Sequence, residues 1–262
     1  MALLHKYWKT AAMAATGYVG DSPLFLVNYL IRLVRVAVLL TIWRMILSDA
    51  VPVDGLDLGA VLTYTLLAEV FGSLLTARTN LVDALWQGSI VGRMVQPLGL
   101  FGQFIADACG SLLFELAFFS LPLFLAGPLF GVNPFPASPA TAGLFVASLT
   151  LALSVGFAVE FIFAALLVLW QLPLWAIVQI RNAVTTLLSG ALIPLAFLPY
   201  GIGTLFSFLP FASMASAPLQ IYIGAGDTPR LLLLQILWSL ALWPLAAWLW
   251  SVGRERMISY GG

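Results

Sequence analysis

The 262-residue chain has one cysteine and one histidine, and its lysines are confined to Lys6 and Lys9. Cys109 alone cannot close an internal disulfide or supply a multi-cysteine metal site, and its apolar setting suits a small packing residue. His5 alone cannot build a histidine metal cluster, so no metal site is expected. With no lysine beyond position 9 there is no GxxxxGK[ST] phosphate loop, and ATP hydrolysis by that route is excluded. The sequence has no nucleophile elbow, zinc motif or carboxylate pair placed for hydrolysis; it is not read as an enzyme and no catalytic residue is assigned. Charge is equally scarce, at 8% of residues, with 11 basic and 11 acidic side chains that cancel. Such a balance offers no field to recruit nucleic acid or an acidic partner.

Apolar sequence is what remains. With 62% hydrophobic residues and a mean hydropathy of +1.04, the chain has too little polar surface to wrap a soluble core. Stretches near the roughly 20 apolar residues that cross a bilayer recur throughout. They predict an all-α integral membrane protein, a single transmembrane domain over 1–262, with six spans at about 24–47, 58–77, 100–125, 141–169, 177–198 and 231–252.

Residues 3–18 are amphipathic, with Leu4, Trp8, Ala11, Ala15 and Tyr18 on one face and Lys6, Lys9 and Thr16 on the other. This pattern predicts an interfacial helix with its lysines toward headgroups; a plain N-terminal extension is the competing reading. Because Lys6 and Lys9 interrupt the first apolar stretch, no cleavable signal peptide is expected. Asp21-Ser22-Pro23 reads as a helix start, and Asp49 to Asp57, with Pro52 and Gly55, as a short loop. Arg78 to Gly99 is the longest polar connection, where Asn80 is expected to cap a short helix and Asp83 to complement its dipole. Pro128 to Pro139 forms a proline-rich turn, and Gln171-Leu172-Pro173 ends the fourth span. Residues 199–230 are apolar but broken by Gly201, Gly203, Pro210, Pro218, Gly224 and Gly226. Irregular backbone survives at membrane depth only where it is sheltered, so a re-entrant hairpin is expected before the last helix.

Loop charges set the orientation. An inside N-terminus puts Lys6, Lys9, Arg78, Arg93, Arg181, Arg254 and Arg256 on or near the cytoplasmic side. The other side receives Asp49, Asp54, Asp57 and Asp227, with Arg44 and Arg230. The positive-inside rule then places both termini in the cytoplasm of a multi-pass inner-membrane protein.

Charges inside the spans form the sharpest signal: Arg32, Arg35, Glu69, Asp107, Glu115 and Glu160. Of these, Arg32, Arg35, Glu69, Asp107 and Glu160 map to the cytoplasmic half of the bilayer. An unpaired charge there costs several kcal/mol, so opposite charges are expected to meet between helices. Either a polar cavity with a state-dependent latch or fixed interhelical pairing satisfies that demand. Gln103, Asp107, Ser111 and Glu115 recur every fourth residue, a stripe that should face protein or a pathway. Trp238, Trp243, Trp248 and Trp250 suit interfacial anchoring, and the aromatics at Phe118, Phe119, Phe124, Phe157, Phe161, Phe163 and Trp170 suit packing and lipid contact.

Ser189-Gly190-Ala191-Leu192-Ile193-Pro194-Leu195, then Pro199, Leu209-Pro210-Phe211, Pro218 and Gly224, resemble the fifth-span end and following break of ABC-2-type exporter membrane subunits. The likeness is to the small six-span permeases encoded apart from their ATPase. Gly88 to Pro97-Leu98 resembles that family's first cytoplasmic loop, and the amphipathic start and six spans extend the likeness along the chain. The resemblance implies an export permease, identical or related in pairs, working with two cytosolic ATPase subunits that bind ATP and magnesium; no cofactor belongs to this chain. It further implies that 79–97 is the coupling loop, with Asp83, Trp86 and Arg93 as contacts to the ATPase. Gly190, Pro194, Pro199, Pro210 and Pro218 would shape the external re-entrant segment at 199–230. A hydrophobic or amphiphilic substrate suits such spans. A proton-coupled secondary transporter using Asp107 or Glu160 is the alternative, and an intramembrane enzyme or scaffold a third reading.

Overall fold

Lipid offers no hydrogen bonds to backbone, so a chain this apolar must satisfy its amides within each segment, and helix does so. The computed structural model describes residues 6–13, 25–48 and 56–261, and among them helix is the regular structure. His5, the Asp21-Ser22-Pro23 start and the loop from Asp49 to Gly55 lie outside the described residues. In chain order the helices are α1 (6–13), α2 (Phe25–Leu47), α3 (Leu58–Val70), α4 (Gly72–Thr76), α5 (Leu81–Trp86), α6 (Ile90–Met94) and α7 (Leu100–Glu115). They continue with α8 (Leu121–Leu125), α9 (Pro139–Trp170), α10 (Leu174–Leu188), α11 (Ile202–Ser207), α12 (Pro210–Met214), α13 (Ser216–Ile223) and α14 (Thr228–Gly261).

Among the described residues three helical stretches are long and apolar enough to cross a membrane: Leu100–Leu125, Pro139–Trp170 and Thr228–Glu255. α2 has 23 residues but carries Arg32, Arg35 and Arg44. α3 and α10, at 13 and 15 residues, are shorter than a bilayer needs. α3 starts on Asp57, whose carboxylate accepts from the Ala60 amide at 2.8 Å, and breaks at Phe71 before α4. The helix expected to reach residue 198 stops at Leu188. Gly190 turns the chain with φ of 75°, a conformation that favours glycine, and Pro194 lacks the amide a continuing helix requires. The segment that follows is the short helices α11, α12 and α13, with α12 opening on Pro210.

α9, the fourth span expected from the sequence, begins two residues before Thr141, because Ser138 accepts from the Thr141 amide at 3.1 Å and Pro139 takes the first turn. α7 passes into α8 through a wide π turn at Leu116–Ser120, next to Pro122.

α9 is the central helix, packing against α14, α13, α12, α10, α4 and α5. Membrane helices gain little from water exclusion and are joined by close packing and polar contacts. Here Ser154 and Ser239 hydroxyls pair at 2.6 Å, and buried Gln235 accepts from the Ser148 hydroxyl at 2.9 Å while donating to the Ser213 carbonyl at 2.9 Å. Trp243 and Trp250 depart from the anchoring role expected of them. Trp243 donates to the Ser154 hydroxyl and packs with Phe101 and Phe161, and Trp250 is buried beside Phe101.

α1 also departs from expectation in that it packs along α7 as well as exposing Lys6 and Lys9. Tyr7 lies against Gly102 and Ala11 against Gly110, where a Cβ would fall 2.0 Å from the Ala11 carbonyl oxygen. The two glycines leave the groove that lets the helices approach this closely.

Candidate functional site

A cavity of about 1500 Å³ opens between α1, α2, α4, α7, α10 and the turn joining α4 to α5. Its wall is polar because the few charged residues of the chain converge on it. Arg32 pairs with Glu115, and both engage the Ser73 hydroxyl of α4. Arg35 Nε donates to Glu69 at 2.8 Å. Arg93, on α6, pairs with Asp107 and lies 4.6 Å above the Phe104 ring. Arg181 Nε approaches the Glu160 carboxylate to 2.5 Å, with both side chains about 95% buried.

The last pair also holds the turn leading to α5. Arg181 Nη2 donates to the carbonyls of Thr76 at 2.7 Å and Ala77 at 3.3 Å, and Glu160 accepts from the Thr79 amide at 3.4 Å. Ala77 ends α4 in the left-handed conformation, so its carbonyls need partners from elsewhere, and α9 and α10 supply the clamp. Asn80, expected to cap α5, makes no side-chain cap; the Leu81 amide donates to the Thr79 hydroxyl at 3.3 Å instead. Asp83 occupies the first turn of α5. The inner face of α5, Leu81, Val82 and Ala84, is buried with Phe157, Phe161 and Ile177, while Asp83 and Trp86 face outward.

Of the polar stripe on α7, Asp107, Ser111 and Glu115 line the cavity. Gln103 instead donates to the carbonyls of Arg93 and Leu98, each at 3.0 Å, pinning the loop in front of α7. Arg93, grouped by sequence with Asp83 and Trp86, turns to Asp107. α10 presents Asn182, Thr185, Thr186 and Ser189 to the cavity, positions three or four apart on one helical face.

Gly190 anchors the break after α10: its carbonyl accepts from Tyr64 at 2.7 Å, and the Ser216 amide bonds the Ser189 carbonyl at 3.0 Å. Pro194 precedes the short turn at Leu195–Phe197, while Pro199 lies between it and α11 and Pro218 within α13. Gly190, Pro194 and Pro218 are buried and Pro199 is exposed; none of them lines the cavity, although Ser189, Ala191 and Leu192 do.

Sequence reasoning found every acid of the four pairs but assigned Arg93 and Arg181 to the membrane surface, and so missed their partnership with Asp107 and Glu160. Their spacing from α9 and α7 in sequence gives no hint of it. The α10 stripe was also missed by sequence reasoning; polar residues three and four apart on an apolar helix are the signal that could have found it.

A family model described as "ABC-2 family transporter protein" matches residues 33–261. No curated protein and no solved structure matches the chain.

Proposed function

The chain belongs to the ABC-2 transporter family, and from that premise we propose that it is the permease of an ATP-driven exporter whose substrate passes through the polar cavity. Family membership makes it the transmembrane component of an ABC transporter, whose partner is an ATP-binding-cassette ATPase. The finer reading is a pair of such permeases, identical or related, with two ATPase subunits that hold ATP and magnesium. Each permease has six spans, a re-entrant segment at 199–230, and both termini in the cytoplasm of the inner membrane.

The observation that carries this reading is the junction of α5 with the cavity. The Arg181–Glu160 clamp joins the turn before α5 to α9 and α10, and α10 forms one cavity wall. A push on α5 is therefore delivered to a surface that a substrate would touch. Asp83 and Trp86 lie on the outer side of α5, with Trp86 64% exposed, as a contact for an ATPase requires. The acids that a proton-coupled transporter would use are each committed to an arginine, which favours the ATP-driven reading.

Co-purification with the ATPase tests the proposal. Trp86→Ala is expected to weaken the complex by about 2 kcal/mol, roughly thirtyfold in Kd, as for a central aromatic contact. ATP-dependent transport should fall with it while membrane insertion is unchanged. A Trp86→Ala permease that binds its ATPase at full strength would remove α5 from the interface.

A further inference from the structure

The cavity wall is not electrically even. Its lining holds the arginines Arg32, Arg35, Arg78, Arg93 and Arg181 against the carboxylates Glu69, Asp107 and Glu115, with Glu160 directly behind. Pairing removes Arg32, Arg35, Arg93 and Arg181. Among the described residues Arg78 pairs with no carboxylate; its Nη2 donates to Asn182 Oδ1 at 2.7 Å. A guanidinium only donates, so Asn182 must offer its oxygen there and is left with its NH₂ group to donate.

One turn further along α10 stands Thr185, 95% buried and lining the same cavity. Threonines in apolar helices commonly return their hydroxyl to the carbonyl four residues back, and Thr41, Thr65, Thr76 and Thr150 do so here. Thr185 does not, and its hydroxyl has no hydrogen-bond partner within the described structure. A buried hydroxyl left unsatisfied costs about 1–3 kcal/mol, which a ligand accepting its proton would recover.

We propose that Arg78, Asn182 and Thr185 form a binding site for the anionic head group, a phosphate or carboxylate, of an amphiphilic substrate. The three side chains offer donors to an oxyanion, and one of them, Arg78, is the lining arginine that has no ion-pair partner among the described residues. The apolar portion of the ligand would lie along Ala191 and Leu192, which line the cavity beyond Ser189. This inference rests on the reading of the cavity as the substrate's path, and it adds the substrate's class.

The test is equilibrium binding to the full-length permease in phosphatidylcholine nanodiscs, with binding to empty nanodiscs subtracted. The probes are dodecyl phosphate, dodecyltrimethylammonium and inorganic phosphate, the amphiphiles kept below their micelle-forming concentrations. Dodecyl phosphate is expected to bind saturably, at least tenfold tighter than dodecyltrimethylammonium. Arg78→Gln should lose about tenfold of that affinity, Thr185→Val several-fold, and Arg78→Lys little, with thermal midpoints matching the parent. Thr185→Val changes shape least and carries the test if Arg78→Gln does not fold. Equal binding of the cationic amphiphile, or full affinity in both Arg78→Gln and Thr185→Val, overturns the proposal. Inorganic phosphate competing weakly supports an amphiphile site; competing as tightly as dodecyl phosphate overturns the amphiphilic part and leaves a site for a free anion. Binding is read without ATP or ATPase. A permease that holds its ATPase but shows no anion preference therefore refutes this site and spares the exporter reading, and the reverse outcome does the opposite.

Discussion

Glu160 and Arg181 show what one charged residue demands of a membrane bundle. Each is almost wholly buried, and the pair survives because the guanidinium also meets two backbone carbonyls and the carboxylate a backbone amide. Removing one partner strands the other, at about 3–5 kcal/mol. Glu160→Ala should therefore lower the thermal midpoint of the detergent-solubilised protein sharply. The double variant Glu160→Leu with Arg181→Met is expected to be more stable than Glu160→Ala alone, because no unpaired charge remains. A double variant that loses the sum of both single losses would show that the residues act independently. Glu160 was legible as the only acid in an otherwise apolar α9; its partner was not, since a helical period places a side chain around its own axis and says nothing about the neighbouring helix.

At the scale of elements, helix ends and breaks followed local chemistry where capping residues and prolines were present. Ser138-Pro139 opens α9, Gln171 closes it in the left-handed conformation, and Pro210 opens α12. The π turn at Leu116–Ser120 and the end of α10 at Leu188 escaped the pattern, because hydropathy stays high through both and measures solvent rather than backbone geometry. The placement of α1 is a second case. Amphipathicity suits a bilayer surface and a groove on another helix equally, and the glycines of α7 provide the groove. Gly110→Leu should displace α1, since the added side chain collides with the Ala11 backbone. Limited trypsin digestion, read by N-terminal cleavage at Lys6 and Lys9, should speed up several-fold without a matching loss of thermal stability. Unchanged cleavage would mean that α1 is held by other contacts.

For the whole molecule, the decisive quantity is orientation. The orientation proposed from the positive-inside bias has the α5 segment on the cytoplasmic side, where an ATPase would reach Trp86. In a Cys109→Ser background, Trp86→Cys is expected to react with a membrane-impermeant maleimide in inside-out vesicles and to stay unlabelled in intact cells. Labelling of intact cells would invert the topology and take the coupling role away from this loop. The cavity gives the same scale its second feature: charges drawn from α2, α3, α6 and α7 pair within it, while Arg78 has no ion-pair partner among the described residues and bonds Asn182 instead.

Composition and the length of the apolar runs determined the solvent and the helical class, because lipid leaves the backbone only helices or closed barrels and continuous apolar runs of about 20 residues fit the former. It also determined that any chemistry would come from a handful of arginines and acids, and the glycine–proline pattern after α10 pointed to the family. Only the tertiary structure decided which arginine meets which acid, that Arg93 and Arg181 turn inward, and that the Thr185 hydroxyl has no hydrogen-bond partner among the described residues. Those facts depend on distances between helices far apart in sequence, and packing geometry, unlike hydropathy, is not a property of any one segment.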